Sequence, residues 1–326
     1  MEVKKGIDIE ARINHELIPA LSMVPESSFD ITEENIHASR EASEQMVREM
    51  AALLPEDNSI LVEDRLVQGL DGNPEINVRI YTPKDKDKIL PGVIYFHGGG
   101  YVSGSVEFFD ANCRTFVKNV NCVLVSVDYR LAPDHRFPAA VDDCYGATCW
   151  FSENASELGV DPMRIAVVGP SAGGGLTAAV CLMARDHKFP AIAFQMPLYP
   201  MLDDRFITQS SNEVLDGRIW NSIASKRAWK MYLGDAENDV SPYAAPSRET
   251  DLSNLPPAYT CVGDLDPFRD ETINYVARLS QAGNAVEFHL YPGCFHGSDM
   301  MATDAEIGKR VTNEYILALR LALHGA

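Results

Sequence analysis

From residue 76 onward, short apolar runs alternate with longer stretches of helical period. Asn77 to Thr82, Val93 to Phe96, Cys122 to Tyr129, Arg164 to Gly169, Ala193 to Tyr199, Ala258 to Gly263 and Val286 to Tyr291 read as strands. Several of them carry four or more apolar residues without a polar break, the pattern of a strand covered on both faces. Strand and helix signals in strict alternation imply an α/β fold with a mostly parallel sheet between helical layers. Val286 to Tyr291 comes last and is expected at a sheet edge. Residues 8 to 54 hold two helical patterns, the second opened by Asp30-Ile31-Thr32-Glu33 and stopped before Pro55. Residues 203 to 243 form a second long, largely helical stretch. With no linker, repeat or low-complexity run, residues 1–326 read as one domain, and segments 1–54 and 203–243 as a helical cap over it. In the second segment Trp229 and Tyr232, three residues apart, read as helix core, and Trp220 as a pocket candidate.

The loops after these strands hold the chemistry. Arg164 to Gly169 runs into Gly169-Pro170-Ser171-Ala172-Gly173, a G-x-S-x-G sequence between a buried strand and a helix of small residues. Such an elbow lifts a serine clear of its backbone, which makes Ser171 a candidate nucleophile, and the N–H of Ala172 at the helix start points where an oxyanion forms. Val93 to Phe96 ends in His97-Gly98-Gly99-Gly100-Tyr101, too rich in glycine for helix or strand. Gly98 and Gly99 are therefore the remaining candidate oxyanion donors, with His97 orienting the loop.

A general base is expected on the loop after the last strand, where His296 lies in Cys294-Phe295-His296-Gly297, followed by Thr303-Asp304-Ala305-Glu306, read as a capping box for the final helix. His289, on the strand itself, reads as solvated or structural. The acid should precede the base in the chain. Asp264, Asp266 and Asp270 all follow the strand Ala258 to Gly263. Asp266 is the choice, because Pro267 restricts the residue before it to extended backbone and so aims its carboxylate. Asp264 is the runner-up, read as a solvated loop or turn residue, and Asp270 reads as a first-turn helix carboxylate.

Taken in order, HGGGY, the segment Asp128 to Ala140 (DYRLAPDHRFPAA), the GxSAGG elbow, Asp266 to Glu271 (DPFRDE) and Phe295-His296-Gly297 resemble the hormone-sensitive-lipase-like carboxylesterases of the α/β-hydrolase fold, most closely the bacterial heroin-esterase type. The resemblance runs over nearly the whole chain. It implies Ser171 as nucleophile, Asp266 as acid, His296 as base, Gly98, Gly99 and Ala172 as oxyanion donors, short-chain esters as substrates and no cofactor or metal. It also implies association of two copies, for which the edge strand Val286 to Tyr291 offers unpaired backbone groups. Two positions depart from the family pattern: Pro170 stands where Asp or Thr is usual before the serine, and Ser298 where Phe usually follows His-Gly. Pro170 supplies neither a carboxylate nor an N–H. Amide hydrolysis on the same residues is the runner-up activity. A non-catalytic small-molecule receptor of the same fold, of the kind that lacks the histidine, is disfavoured by the presence of His296.

Composition narrows the setting. A formal charge of −19 over 326 residues disfavours nucleic acid and anionic membrane surfaces as partners, leaving a small-molecule ester. Met1 to Gly6 contains two lysines with no apolar run behind them, and no stretch approaches a membrane span. Seven cysteines, an odd number without regular spacing, read as reduced thiols, with Cys122, Cys181 and Cys261 as packing residues. A cytoplasmic location is the expectation.

Overall fold

The computed structural model describes residues 6–51, 57–70, 72–86, 88–236 and 239–325. Eight strands form one sheet: β1 (Ile60–Val67), β2 (Ile76–Pro83), β3 (Leu90–Phe96), β4 (Val123–Asp128), β5 (Val160–Pro170), β6 (Phe194–Leu198), β7 (Ala258–Gly263) and β8 (Val286–Tyr291). Their spatial order is β1-β2-β4-β3-β5-β6-β7-β8. The pairs from β4 through β8 are parallel, while β1–β2 and β2–β4 are antiparallel.

The pleat of the central strands sorts their side chains into two cores. On β3, Ile94 and Phe96 join the cluster under the helices Ala139–Glu153, Ala172–His187 and Arg269–Gln281. Val93 and Tyr95 point the other way, against Asp110–Phe116 and the last helix, Glu306–His324. The period of two that sends successive side chains to opposite faces thus fills both layers from one strand, which is why all seven residues of β3 are buried. Peripheral helical elements complete the α/β-hydrolase fold as a cap, among them Ile36–Ala51 and Ser222–Leu233. Among the described residues no helix is long and apolar enough to cross a membrane.

β1 was not expected from the sequence. It is an antiparallel edge strand with Leu61 and Leu66 exposed, and Glu63, Asp64 and Arg65 interrupt its apolar residues, so neither alternation nor a continuous apolar run marks it. Two helix starts also differ. The cap helix begins at Ile36, not within Asp30-Ile31-Thr32-Glu33; the side chains of Thr32 and Asn35 each accept from the other's amide, closing a turn ahead of it. Its expected stop before Pro55 lies outside the described residues. The last helix is capped by no box: Ala305 stands at its N-cap without a side-chain bond. Instead the carboxylate of Glu16, 291 residues away, accepts from the N–H of Ile307 at 2.9 Å. A carboxylate at a helix N-terminus satisfies an orphan donor wherever in the chain it originates. Among the described residues of 203–243, only Ser210–Glu213 and Ser222–Leu233 are helical.

Candidate active site

Ser171 follows the last residue of β5 with φ 59° and ψ −119°, a conformation disfavoured for any residue with a Cβ. Hydrogen bonds hold it there. Its N–H donates to the carbonyl of Leu198 at 2.9 Å, and its carbonyl accepts from Gly175 and Met201, each at 3.0 Å. The turn is tight enough that a Cβ on Gly173 would sit 2.0 Å from the carbonyl oxygen of Phe96, so the helix can approach the end of β3 only through glycine.

His296 and Asp266 reach the same point from the ends of β8 and β7. His296 Nε2 lies 2.8 Å from Ser171 Oγ, and His296 Nδ1 lies 2.7 Å from Asp266 Oδ2. The carboxylate accepts, so Nδ1 carries the proton and Nε2 is left to accept from the serine hydroxyl. Asp266 is fully buried, and its other oxygen accepts from the N–H of Phe268 at 2.8 Å. Phe268 and Tyr199 meet the imidazole edge-on, each with centroids 5.1 Å away, and restrict its rotation.

The neighbouring acidic residues have other contacts. Asp264 lies in the turn after β7 as expected and is partly exposed, but it also has a structural role: it accepts from the N–H of Gly293 at 2.6 Å, bracing the loop that leads to His296, and pairs with Arg12 at 2.9 Å. Asp270 lies in the first helical turn as expected, and exchanges hydrogen bonds with Ser210, its carboxylate accepting from the Ser210 N–H and its own N–H donating to the Ser210 hydroxyl. Asp299, one turn after His296, accepts from the Tyr199 hydroxyl at 3.3 Å, and burial pushes its carboxyl up to about 6.

The glycine loop lies beside the serine. Gly98, if given a Cβ, would meet the Ser171 side chain at 3.5 Å, and Gly99 has φ +121°. Among the described residues the amides of Gly98, Gly99 and Ala172 donate to no protein acceptor. His97 is fully buried, donates through Nδ1 to the carbonyl of Gly98 and stacks on Tyr129 with centroids 4.1 Å apart. Burial drives its pKa down to about 4, so it stays neutral as a loop anchor. Tyr129 adds a hydrogen bond to the His97 carbonyl.

Residues 93–300 match a family model described as an alpha/beta hydrolase fold. The chain is 37% identical over 292 residues to an esterase named LipI from Mycobacterium tuberculosis, covering 87% of this chain and 89% of that protein. It belongs to the α/β-hydrolase carboxylesterase family. An ethyl acetate hydrolase from Pseudomonas putida is 32% identical over 243 residues, 74% of this chain and 76% of that one. Among solved structures, a bacterial heroin esterase superposes with a TM-score of 0.90 at 40% identity, covering 96% of this chain and 98% of that one.

In this esterase-family chain a cavity of about 460 Å³ opens over Ser171 and His296. Its floor includes Gly98, Gly99 and Pro170, and its apolar walls come from Phe29, Phe108, Trp220 and Met300. Trp220, read from the sequence only as a pocket candidate, is held by a hydrogen bond from Nε1 to Ser225 and packs edge-on against Phe29. Trp229 and Tyr232 instead pack against Tyr101 inside the core.

No sequence signal marked Arg40. From the cap helix its guanidinium donates to the carbonyls of Val102 and Ala132 at 2.8 and 2.6 Å and to the Asp134 carboxylate at 2.6 Å. One side chain therefore ties the cap helix to the loop that carries Gly98 and Gly99. Arg40→Met keeps the apolar stem but removes these bonds, each worth roughly 1.5–3 kcal/mol when a charge is involved. Steady-state kinetics should show KM rising by about three- to tenfold, with a smaller fall in kcat because the glycine loop keeps its other supports, the Tyr101 and Tyr129 hydrogen bonds.

Proposed function

We propose that the protein hydrolyses short-chain carboxylic esters through an acyl-enzyme on Ser171. As a member of this family it is a carboxylic ester hydrolase, and the observation that supports the residue assignment is the unbroken hydrogen-bonded line from Ser171 Oγ through His296 to buried Asp266. Ser171 Oγ attacks the ester carbonyl carbon while His296 Nε2 takes its proton. Asp266 holds the imidazolium, and the amides of Gly98, Gly99 and Ala172 receive the oxyanion. Collapse of the tetrahedral intermediate breaks the bond to the alcohol oxygen, which leaves with the proton from His296. Water, deprotonated by the same histidine, then attacks the acyl-enzyme and releases the acid and free Ser171. The reaction needs no cofactor or metal.

The described parts of the expected cap segments, 6–51, 203–236 and 239–243, roof this site in our reading, with Phe29 and Trp220 setting the limit on substrate size; the remaining residues of segments 1–54 and 203–243 lie outside the described residues. A cytoplasmic setting is consistent with seven free cysteines, six of them buried. Two copies pair along β8, an exposed sheet edge whose Leu290 is 43% accessible.

Ser171→Ala should fold normally and lose about six orders of magnitude in turnover, as removal of a triad serine does elsewhere. An organophosphate should add mass to Ser171 of the wild type; mass on another serine, or wild-type turnover in the alanine variant, would refute the assignment. Across p-nitrophenyl esters, kcat/KM should peak at roughly two to six acyl carbons, each methylene gaining about 0.8 kcal/mol only while pocket remains to bury it. Preference for emulsified long-chain triglyceride would contradict this. Sedimentation at micromolar concentration should give a dimer, and a charge placed at Leu290 should dissociate it; a monomer in the wild type removes the pairing.

A further inference from the structure

Glu271 is a buried carboxyl that the hydrolytic mechanism does not use. It stands in the first turn of the helix Arg269–Gln281, five residues after Asp266, and is 3% exposed. No neighbouring arginine or lysine pairs with it among the described residues. Instead its Oε1 accepts two backbone amides, those of Leu202 at 2.7 Å and Asp203 at 3.2 Å. Burial, with Asp203 and Asp266 nearby, pushes its carboxyl well above the usual carboxylate range. Keeping such a group out of water is costly unless its hydrogen bonds are made, and here the bonds go to one short stretch of chain.

That stretch, Leu198 to Asp203, is where the parts of the site meet. Leu198 accepts from the Ser171 N–H, and Met201 donates to the Ser171 carbonyl. The Met201 carbonyl in turn accepts from the Tyr101 hydroxyl at 2.9 Å, so the end of the HGGGY loop is fastened to the same residue. The fit is close on the other side too: a Cβ on Gly175 would meet Tyr101 Oη at 2.1 Å and the Met201 carbonyl at 2.3 Å. Without Glu271, no other acceptor among the described residues would hold the amides of Leu202 and Asp203, and the turn bearing Asp266 would lose this bond to the segment under the nucleophile.

We propose that Glu271 is a positioning residue that locks the acid-bearing turn 266–271 onto the segment 201–203, and so sets Ser171, the HGGGY loop and the acid in one frame. It acts through backbone and touches neither substrate nor the reacting atoms. The proposal rests on Ser171 being the nucleophile.

The test compares three forms of the full chain. Glu271→Gln keeps an oxygen at the same reach, whereas Glu271→Asp keeps the carboxyl but is one methylene short; Glu271→Ala stands in for it if the aspartate variant does not fold. The readouts are the rate at which an organophosphate labels Ser171, and kcat and KM on a short-chain ester, each on protein whose folded fraction is fixed by circular dichroism and thermal melting. Glu271→Gln should label and turn over within about threefold of wild type. Glu271→Asp should lose about tenfold to a hundredfold in both labelling rate and kcat with KM nearly unchanged, the scale of a small misplacement at a reacting centre. Labelling of Glu271→Asp at the wild-type rate overturns the proposal, as does a folded Glu271→Gln that is as slow as the aspartate variant. Absence of label on Ser171 in the wild type would instead overturn the nucleophile assignment on which the proposal stands.

Discussion

The backbone of Ser171 is held where an L-residue does not rest by choice. Its φ of 59° survives because three backbone hydrogen bonds surround it and because Gly173 lets the following helix close to contact with the carbonyl of Phe96. From that contact the rest of the site follows. It places the end of β3 against the elbow, so the glycine loop that continues β3 must lie beside the serine. In a parallel sheet the strand ends that carry such loops share one edge, and β3, β5, β7 and β8 deliver all their chemistry there.

Around the elbow, hydrogen bonding offsets much of the cost of burying polar groups. Asp266 is removed from water entirely, which is tolerable because His296 and the N–H of Phe268 take its two oxygens. His97, equally buried, is held neutral: Nδ1 donates to the next carbonyl, while Nε2 has no hydrogen-bond partner among the described residues. Polar groups at this site are thus fixed in direction before a substrate arrives, the condition under which dipoles stabilise developing charge most effectively.

The cap is attached through polar contacts from far along the chain. Arg40 grips three acceptors around the glycine loop, Arg12 pairs with the Asp264 that braces the histidine loop, and Glu16 caps the final helix. Residues near the start of the chain therefore touch the supports of both the oxyanion loop and the base. The roof and the reacting groups are mechanically joined, although no residue of Ile36–Ala51 contacts His296 by hydrogen bond among the described residues.

Seven of the eight described strands were readable from apolar runs or from alternation, and the residues that meet at the site were readable because each lies within a few positions of a strand end, in a turn whose chemistry is local: Gly-x-Ser-x-Gly, His-Gly-Gly-Gly, Asp before Pro. Periodicity and turn propensity depend on neighbours in sequence, so sequence carries them. β1 escaped because an edge strand packs on one side only and tolerates charge in its middle. The role of Asp264, the cap at Ile307, the grip of Arg40, the burial of Glu271 and the placement of Trp220 over the serine were decided by tertiary structure alone. In each case the partner lies tens to hundreds of residues away, and only the folded sheet brings donor and acceptor within reach. Nothing in the local pattern distinguishes an inward Arg40 from its exposed neighbour Glu41; the difference is which face of the helix the strand order turns towards the loop.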